Sequence, residues 1–210
     1  MSSFERYYFG VILRPSPTFA ALVRDDHRLR YGFMAIGLNI VLYTLVYIFL
    51  TAGAGAPSSF TPWLAIPKES YYFYNRFLLA PSMLLAWIAS AGVAQLLSKP
   101  FGGKAEFEDM LSLFGFAVSV ACLASLLHDL PDSFLGAVGL IDLKEYEVAL
   151  NSPTIWRVIL LTLYSLSVLW FFLLYIKAVK VAQQISRGPA MLVGSVSYIL
   201  YQVVFLIFNR

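Results

Sequence analysis

Five stretches of eighteen to twenty-two mostly apolar residues recur along this chain. A helix rises about 1.5 Å per residue, so about 20 such residues match the ~30 Å apolar layer of a bilayer. The stretches are GFMAIGLNIVLYTLVYIFLT at 32–51, FLLAPSMLLAWIASAGVAQLLS at 77–98, MLSLFGFAVSVACLASLL at 110–127, WRVILLTLYSLSVLWFFLLYI at 156–176 and AMLVGSVSYILYQVVFLIF at 190–208. They are continuous rather than alternating, which excludes the strands of a membrane β-barrel. Charged residues make up 13% of the 210 residues, about half the share of a soluble domain, and the mean hydropathy is +0.74. The expected fold is therefore all-α. It is a polytopic membrane protein with five transmembrane helices in one unit at 32–210, preceded by a short amphipathic segment at 1–31.

Charges at Glu5, Arg6, Arg14, Arg24, Asp25, Asp26, Arg28 and Arg30 interrupt the first thirty residues. No cleavable leader is read there, and the first apolar run serves as an uncleaved insertion signal. Phe4, Tyr7, Tyr8 and Val11 recur at helical spacing. After Arg14-Pro15, Ser16 is placed to cap a helix with Pro17 in its first turn, and Phe19, Leu22 and Val23 share a face. One or two short amphipathic helices are expected, lying on the leaflet or bracing the bundle.

The distribution of Lys and Arg sets the orientation. Ten fall before the first span (Arg6, Arg14, Arg24, Arg28, Arg30), in the second connection (Lys99, Lys104) and in the fourth (Lys177, Lys180, Arg187). Five fall on the other side: Lys68, Arg76, Lys144, Arg157 and Arg210. Cytoplasmic segments carry the excess of Lys and Arg. The N-terminus is thus expected in the cytoplasm and, with five spans, the C-terminus outside. The connection 52–76 is rich in Gly, Pro and Ser and then aromatic, 128–155 reads as a long acidic loop, and 177–189 as a short basic one.

The stretch SKPFGGKAEFEDMLSLFGFA, beginning at Ser98, is a charged, glycine-broken hinge between two apolar runs. Lys99 closes the second helix. Gly102 and Gly103 permit a positive φ in the turn. Glu106, Glu108 and Asp109 fall where a helix N-terminus favours anions. This hinge, LLSKPFGGKAEFEDMLSLFGFA, and the N-terminal FGVILRPSPTFAAL resemble the signature and opening of the Yip domain family, Ypt-interacting membrane proteins with five spans. In that family a Gly-Gly, a basic or small residue and an aromatic lead into the third span. FGFAVSVACL lacks the proline that many members carry early in that span. The short N-terminal arm is similar to that of a prokaryotic member. The resemblance implies residence in a cell membrane, here a prokaryotic inner or plasma membrane, and in eukaryotes an association with Rab-type GTPases.

Small residues recur every fourth position at Ala86, Ser90 and Ala94, at Ala117, Ala121 and Ser125, and at Ala190 and Gly194. Such stripes let helices approach closely within one chain or in a homo-oligomer. The intramembrane polar candidates are Asn39, Gln95 and Gln202. No Asp, Glu or Lys lies near the middle of a span, which counts against a proton-coupled transporter. HDLPD, from His128 to Asp132, offers His128, Asp129 and Asp132 as candidate metal or acid–base groups, with a solvated loop start as the plainer reading. Cys122, the single cysteine, reads as a packing residue.

Three readings stay open. The leading one, carried by the resemblance, is a non-enzymatic scaffold or interaction protein that acts through a cytoplasmic face of Arg14, Arg24, Arg28, Lys99, Gly102, Gly103, Lys104, Lys177, Lys180 and Arg187. Its partners would be the lipid bilayer and other membrane or peripheral proteins. The second is a passive channel or small-solute facilitator lined by the amides. The third is a membrane enzyme built on HDLPD. No cofactor and no nucleic-acid partner is expected, since a net charge of +3 is too small to argue for one.

Overall fold

The computed structural model describes residues 3–57 and 63–209. Arg210 and residues 58–62 of the turn-rich connection lie outside the described residues. Nine α-helices and no strand occur among the described residues. They are α1 (Ser3–Leu13), α2 (Pro15–Val23), α3 (Arg28–Ala52), α4 (Tyr71–Ser98), α5 (Phe107–Ala121), α6 (Leu123–Ala137), α7 (Leu143–Asn151), α8 (Ile155–Gln183) and α9 (Arg187–Phe208).

Four of these helices, α3, α4, α8 and α9, are long and apolar enough to cross a membrane. α5 has 15 residues, about 22 Å at ~1.5 Å per residue, which is short of a bilayer core. Together α5 and α6 pass the same test as a fifth span, bent by 50° at Cys122. The chain is an all-α polytopic membrane protein.

α5 is the axis of the bundle. Every residue from Asp109 to Ala121 is buried, and α3, α4 and α8 pack around it. Lipid tails are as apolar as leucine, so packing rather than escape from water holds such helices together, and small residues set how close they come. At the α3–α5 crossing a Cβ on Gly115 would lie 2.5 Å from the Gly32 carbonyl oxygen, and one on Gly32 would lie 2.6 Å from the Ser112 Cα. Only glycine at both positions allows this contact. Deeper along α5, Phe114 stacks on Tyr175 of α8 with ring centroids 3.8 Å apart, and the buried Trp87 indole donates to the Leu111 carbonyl at 2.9 Å. Ala86, Ser90, Ala94, Ala117, Ala121, Ser125, Ala190 and Gly194 are all buried within this single chain.

The N-terminal pair forms a brace. Tyr7, Tyr8 and Val11 of α1 and Phe19 and Leu22 of α2 are buried, with α1 against α5 and α2 against α5 and α8. The Tyr8 hydroxyl shares a hydrogen bond with that of Ser119 at 3.0 Å. α2 begins at Pro15 rather than after Ser16, because proline's fixed φ suits a first helical position and Ser16 makes no cap.

Two connections differ from the sequence reading. α8 continues through Lys177 and Lys180 to Gln183, two turns beyond the apolar run, because its last turns pack on α2 and α5. The acidic stretch is helical rather than a loop: α6 runs through Pro131 to Ala137, and α7 starts at Leu143 with the Asp142 carboxylate accepting from the Lys144 and Glu145 amides. An N-cap aspartate of this kind stabilises a short helix by about 1 kcal/mol.

Candidate functional site

The hinge, the N-terminal brace and the α8–α9 turn meet at one end of the bundle. Lys99, Pro100 and Phe101 form a 3-10 turn after α4, and Gly102 takes a left-handed φ of +79°. The chain then enters α5 through a capping box. The Glu106 side chain accepts from the third-residue amide of the helix, and the Asp109 carboxylate accepts from the Glu106 amide at 2.8 Å. Gln183 at the end of α8 joins the hinge to the bundle. Its backbone oxygen accepts from the Lys104 amide at 3.3 Å, its side-chain oxygen accepts from the Ala105 amide at 3.2 Å, and its amide nitrogen donates to Gln95 Oε1 at 3.1 Å. A Cβ on Gly103 would lie 2.5 Å from that Gln183 oxygen. Sequence reasoning missed Gln183 because it fell in a stretch read as a basic loop. The signal was there in the glutamine pair that follows the apolar spacing of Val179 and Ala182.

Arg28, from the start of α3, turns inward onto the same turn. Its guanidinium donates to Asp109 and to Glu106 at 3.3 Å, and its side chain is 20% exposed. Asp109 is therefore both helix cap and ion-pair partner. Gly103 is half-buried beneath the turn, and Lys177 is half-buried with its ammonium 5.7 Å from the Trp170 ring. Arg14, Arg24, Lys99, Gly102, Lys104, Lys180 and Arg187 are exposed at this end. Asp25 ties the brace to it by accepting from the Tyr7 hydroxyl at 2.8 Å and the His27 amide at 2.9 Å. These two donors, the backbone amide first, hold the Asp25 carboxyl below its ordinary range.

The three intramembrane amides go to three places. Gln95 sits at the hinge end. Asn39 is buried midway, with its Nδ2 3.5 Å from the Met83 sulfur and no partner for its Oδ1. Gln202 donates to the Tyr198 hydroxyl at 2.8 Å, on the wall of a cavity.

That cavity, about 480 Å³, lies toward the end opposite the hinge, among α3, α6, α8 and α9 with α7 across it. Its lining includes the apolar Val46, Leu50, Met83, Phe171 and Phe205. A polar cluster built on α6 and α7 also lines it. His128 Nδ1 lies 3.1 Å from Asp129 and its Nε2 lies 3.1 Å from Asp132, one helical turn on. The Tyr146 hydroxyl donates to Asp132 at 2.7 Å, the Tyr164 hydroxyl to Asp129 at 2.8 Å, and the Tyr72 hydroxyl to Glu147 at 3.1 Å. Burial first, and the hydrogen bond to Asp132 second, raise the Tyr146 phenol above its ordinary range, so it remains a donor. His128, Asp129 and Asp132 thus form a half-buried hydrogen-bonded cluster within a helix, not a solvated loop start. No group of three or more His, Cys, Asp or Glu among the described residues is arranged to hold a metal ion.

The model of the Yip1 domain matches residues 9–208, nearly the whole chain. The chain belongs to the Yip1 domain family. No curated protein and no solved structure matches it. Within this Yip1 domain the glycine hinge, α5 and the Pro15 entry form a connected unit, since the brace and the hinge both pack on α5 and α8.

Proposed function

We propose that this Yip1 protein is a non-enzymatic interaction scaffold whose hinge end faces the cytoplasm and docks acidic surfaces of membrane or peripheral proteins. The observation that carries this reading is the sorting of cations at that end. Arg28 is matched by Asp109 and Glu106, while Arg14, Arg24, Lys99, Lys104, Lys180 and Arg187 remain exposed on a framework held by Gln183 and the brace. A fixed array of unmatched cations attracts a negative partner surface and limits its orientation. The excess of Lys and Arg supports a cytoplasmic hinge end, with the C-terminus across the membrane.

The test is photo-crosslinking in native membranes from a probe placed at Phe101, beside a variant with Lys99, Lys104, Lys180 and Arg187 changed to Gln. Loss of crosslinked proteins from the variant, with reporter fusions still placing the N-terminus inside, is expected. An unchanged set of crosslinks would sink the reading. A passive small-solute facilitator is the second reading, drawn from the cavity. Solute flux in proteoliposomes that disappears in Gln202→Leu would favour it over the scaffold.

A further inference from the structure

The cavity beneath α7 is separate from the basic end and has its own chemistry. Its lining is mixed. Val46, Leu50, Met83, Phe171 and Phe205 are among its apolar side chains, and His128, Asp129, Asp132 and Glu147 are among its polar ones. No lysine or arginine is among the described residues that line it. Asp129 and Asp132 flank His128 at 3.1 Å each, two carboxylates to one imidazole, so these three groups stay net negative even with His128 protonated. Small-molecule sites have this form, an apolar chamber with a few polar groups that orient the ligand.

We infer that this cavity binds an amphiphile with a single apolar tail and a cationic amine head. The tail occupies the apolar chamber and the head meets Asp129, Asp132 and Glu147. An ionised carboxylate offers about four acceptor positions. Asp129 and Asp132 each accept from one tyrosine hydroxyl and sit against His128, which fixes the carboxylates while leaving them able to accept from an ammonium. Tyr47, Tyr72, Tyr146 and Tyr164 add ring faces to the same lining. Aromatic faces attract ammonium and quaternary ammonium groups, more strongly as water is excluded. Among the described residues that line the cavity, an anionic head of equal size meets no counter-charge except His128.

The bilayer delivers the ligand. Leu161 of α8 lines both the cavity and a groove on the outer side of that helix formed with Val158, Thr162, Ser165, Leu166 and Leu169. The half of α8 around it buries no side chain, so it stands against lipid. A tail dissolved in the membrane therefore reaches the chamber past Leu161 without crossing the headgroup layer.

The test is equilibrium binding of radiolabelled dodecyltrimethylammonium to the full chain in phosphatidylglycerol nanodiscs, with empty discs subtracted. One saturable site per chain is expected, displaced by dodecylamine and not by dodecyl sulfate or dodecanol. Asp129→Asn with Asp132→Asn is expected to weaken binding at least tenfold. Leu161→Trp, at an exposed position that the fold tolerates, is expected to do the same by taking up room in the cavity that Leu161 lines, and it carries the test should the double variant not fold. Discs doped with phosphatidylethanolamine separate a diacyl lipid amine, which would displace the probe, from a single-chain amine, which alone would do so otherwise. Absence of a saturable site, equal displacement by dodecyl sulfate, or binding unchanged in the folded variants overturns the proposal.

Discussion

From Phe171 to Gln183, α8 buries seven side chains, and from Ile155 to Trp170 it buries none. The half with two lysines and a glutamine is the core element, and the more uniformly apolar half is a strut in lipid. The difference lies in what meets them. The Phe171–Gln183 half meets α5 and the brace, through small residues such as Ala178 and Ala182 and a polar end at Gln183. The Ile155–Trp170 half meets α6 and α7 at its rim and carries bulky residues that face outward. Apolarity places a segment in the membrane, whereas small and polar residues decide whether it touches protein there.

The sharpest way to break this contrast is to fill the α3–α5 crossing. Gly115→Leu sets a side chain against the Gly32 backbone and is expected to abolish the folded, monodisperse species in detergent-detected size exclusion. Gly115→Ala is expected to cost about 3 kcal/mol, the upper end for overpacking, because the obstacle is backbone. Next is Arg28→Ala, which leaves the buried Asp109 without its partner. A loss of about 2 kcal/mol is expected, below the ~3–5 kcal/mol of a fully buried pair because Arg28 is partly wetted. Thermal unfolding of purified protein measures both.

Gln183→Leu strands the Ala105 amide and the Gln95 oxygen, at about 1–2 kcal/mol. Amide exchange should quicken at the hinge and remain unchanged at the cavity end. The brace carries a pH effect of smaller size. The folded-state pKa of Asp25 is depressed, so its contribution is complete above the ordinary carboxylate range and fades as pH falls through the lowered value. Protection of α1–α2 amides, relative to their intrinsic exchange rates at each pH, should fall on acidification in the native chain and show no such step in Asp25→Asn. Leu161→Ala closes the series, with a change within about 0.5 kcal/mol expected in the open half of α8. A large loss there would mean that the half is packed after all.

Much of the hinge was legible in the sequence, because its parts act locally. Gly102 needs a positive φ, and Glu106 to Asp109 sit at a helix start, where the capping box forms. The small-residue stripes likewise marked surfaces that the structure buries. What escaped was non-local or relied on tertiary support. Gln183 has meaning only once α8 lies beside the hinge. The stretch from 128 read as a loop, but α6 rests on α3 and α8, which hold the helix through Pro131. The cavity joins Tyr72, Asp129, Tyr146 and Tyr164 from four helices, and no spacing along the chain brings these together.

The bend at Cys122 has a geometric consequence. α6 is 15 residues long, about 22 Å, and leaves α5 at 50°. Its far end is thus carried about 17 Å sideways from where a straight helix would have ended. A straight third crossing would keep to the axis of the bundle along its whole length. The deflected one slopes away like a rafter, and the room beneath that slope, with α7 lying across it, is where Asp129, Asp132 and Glu147 are kept.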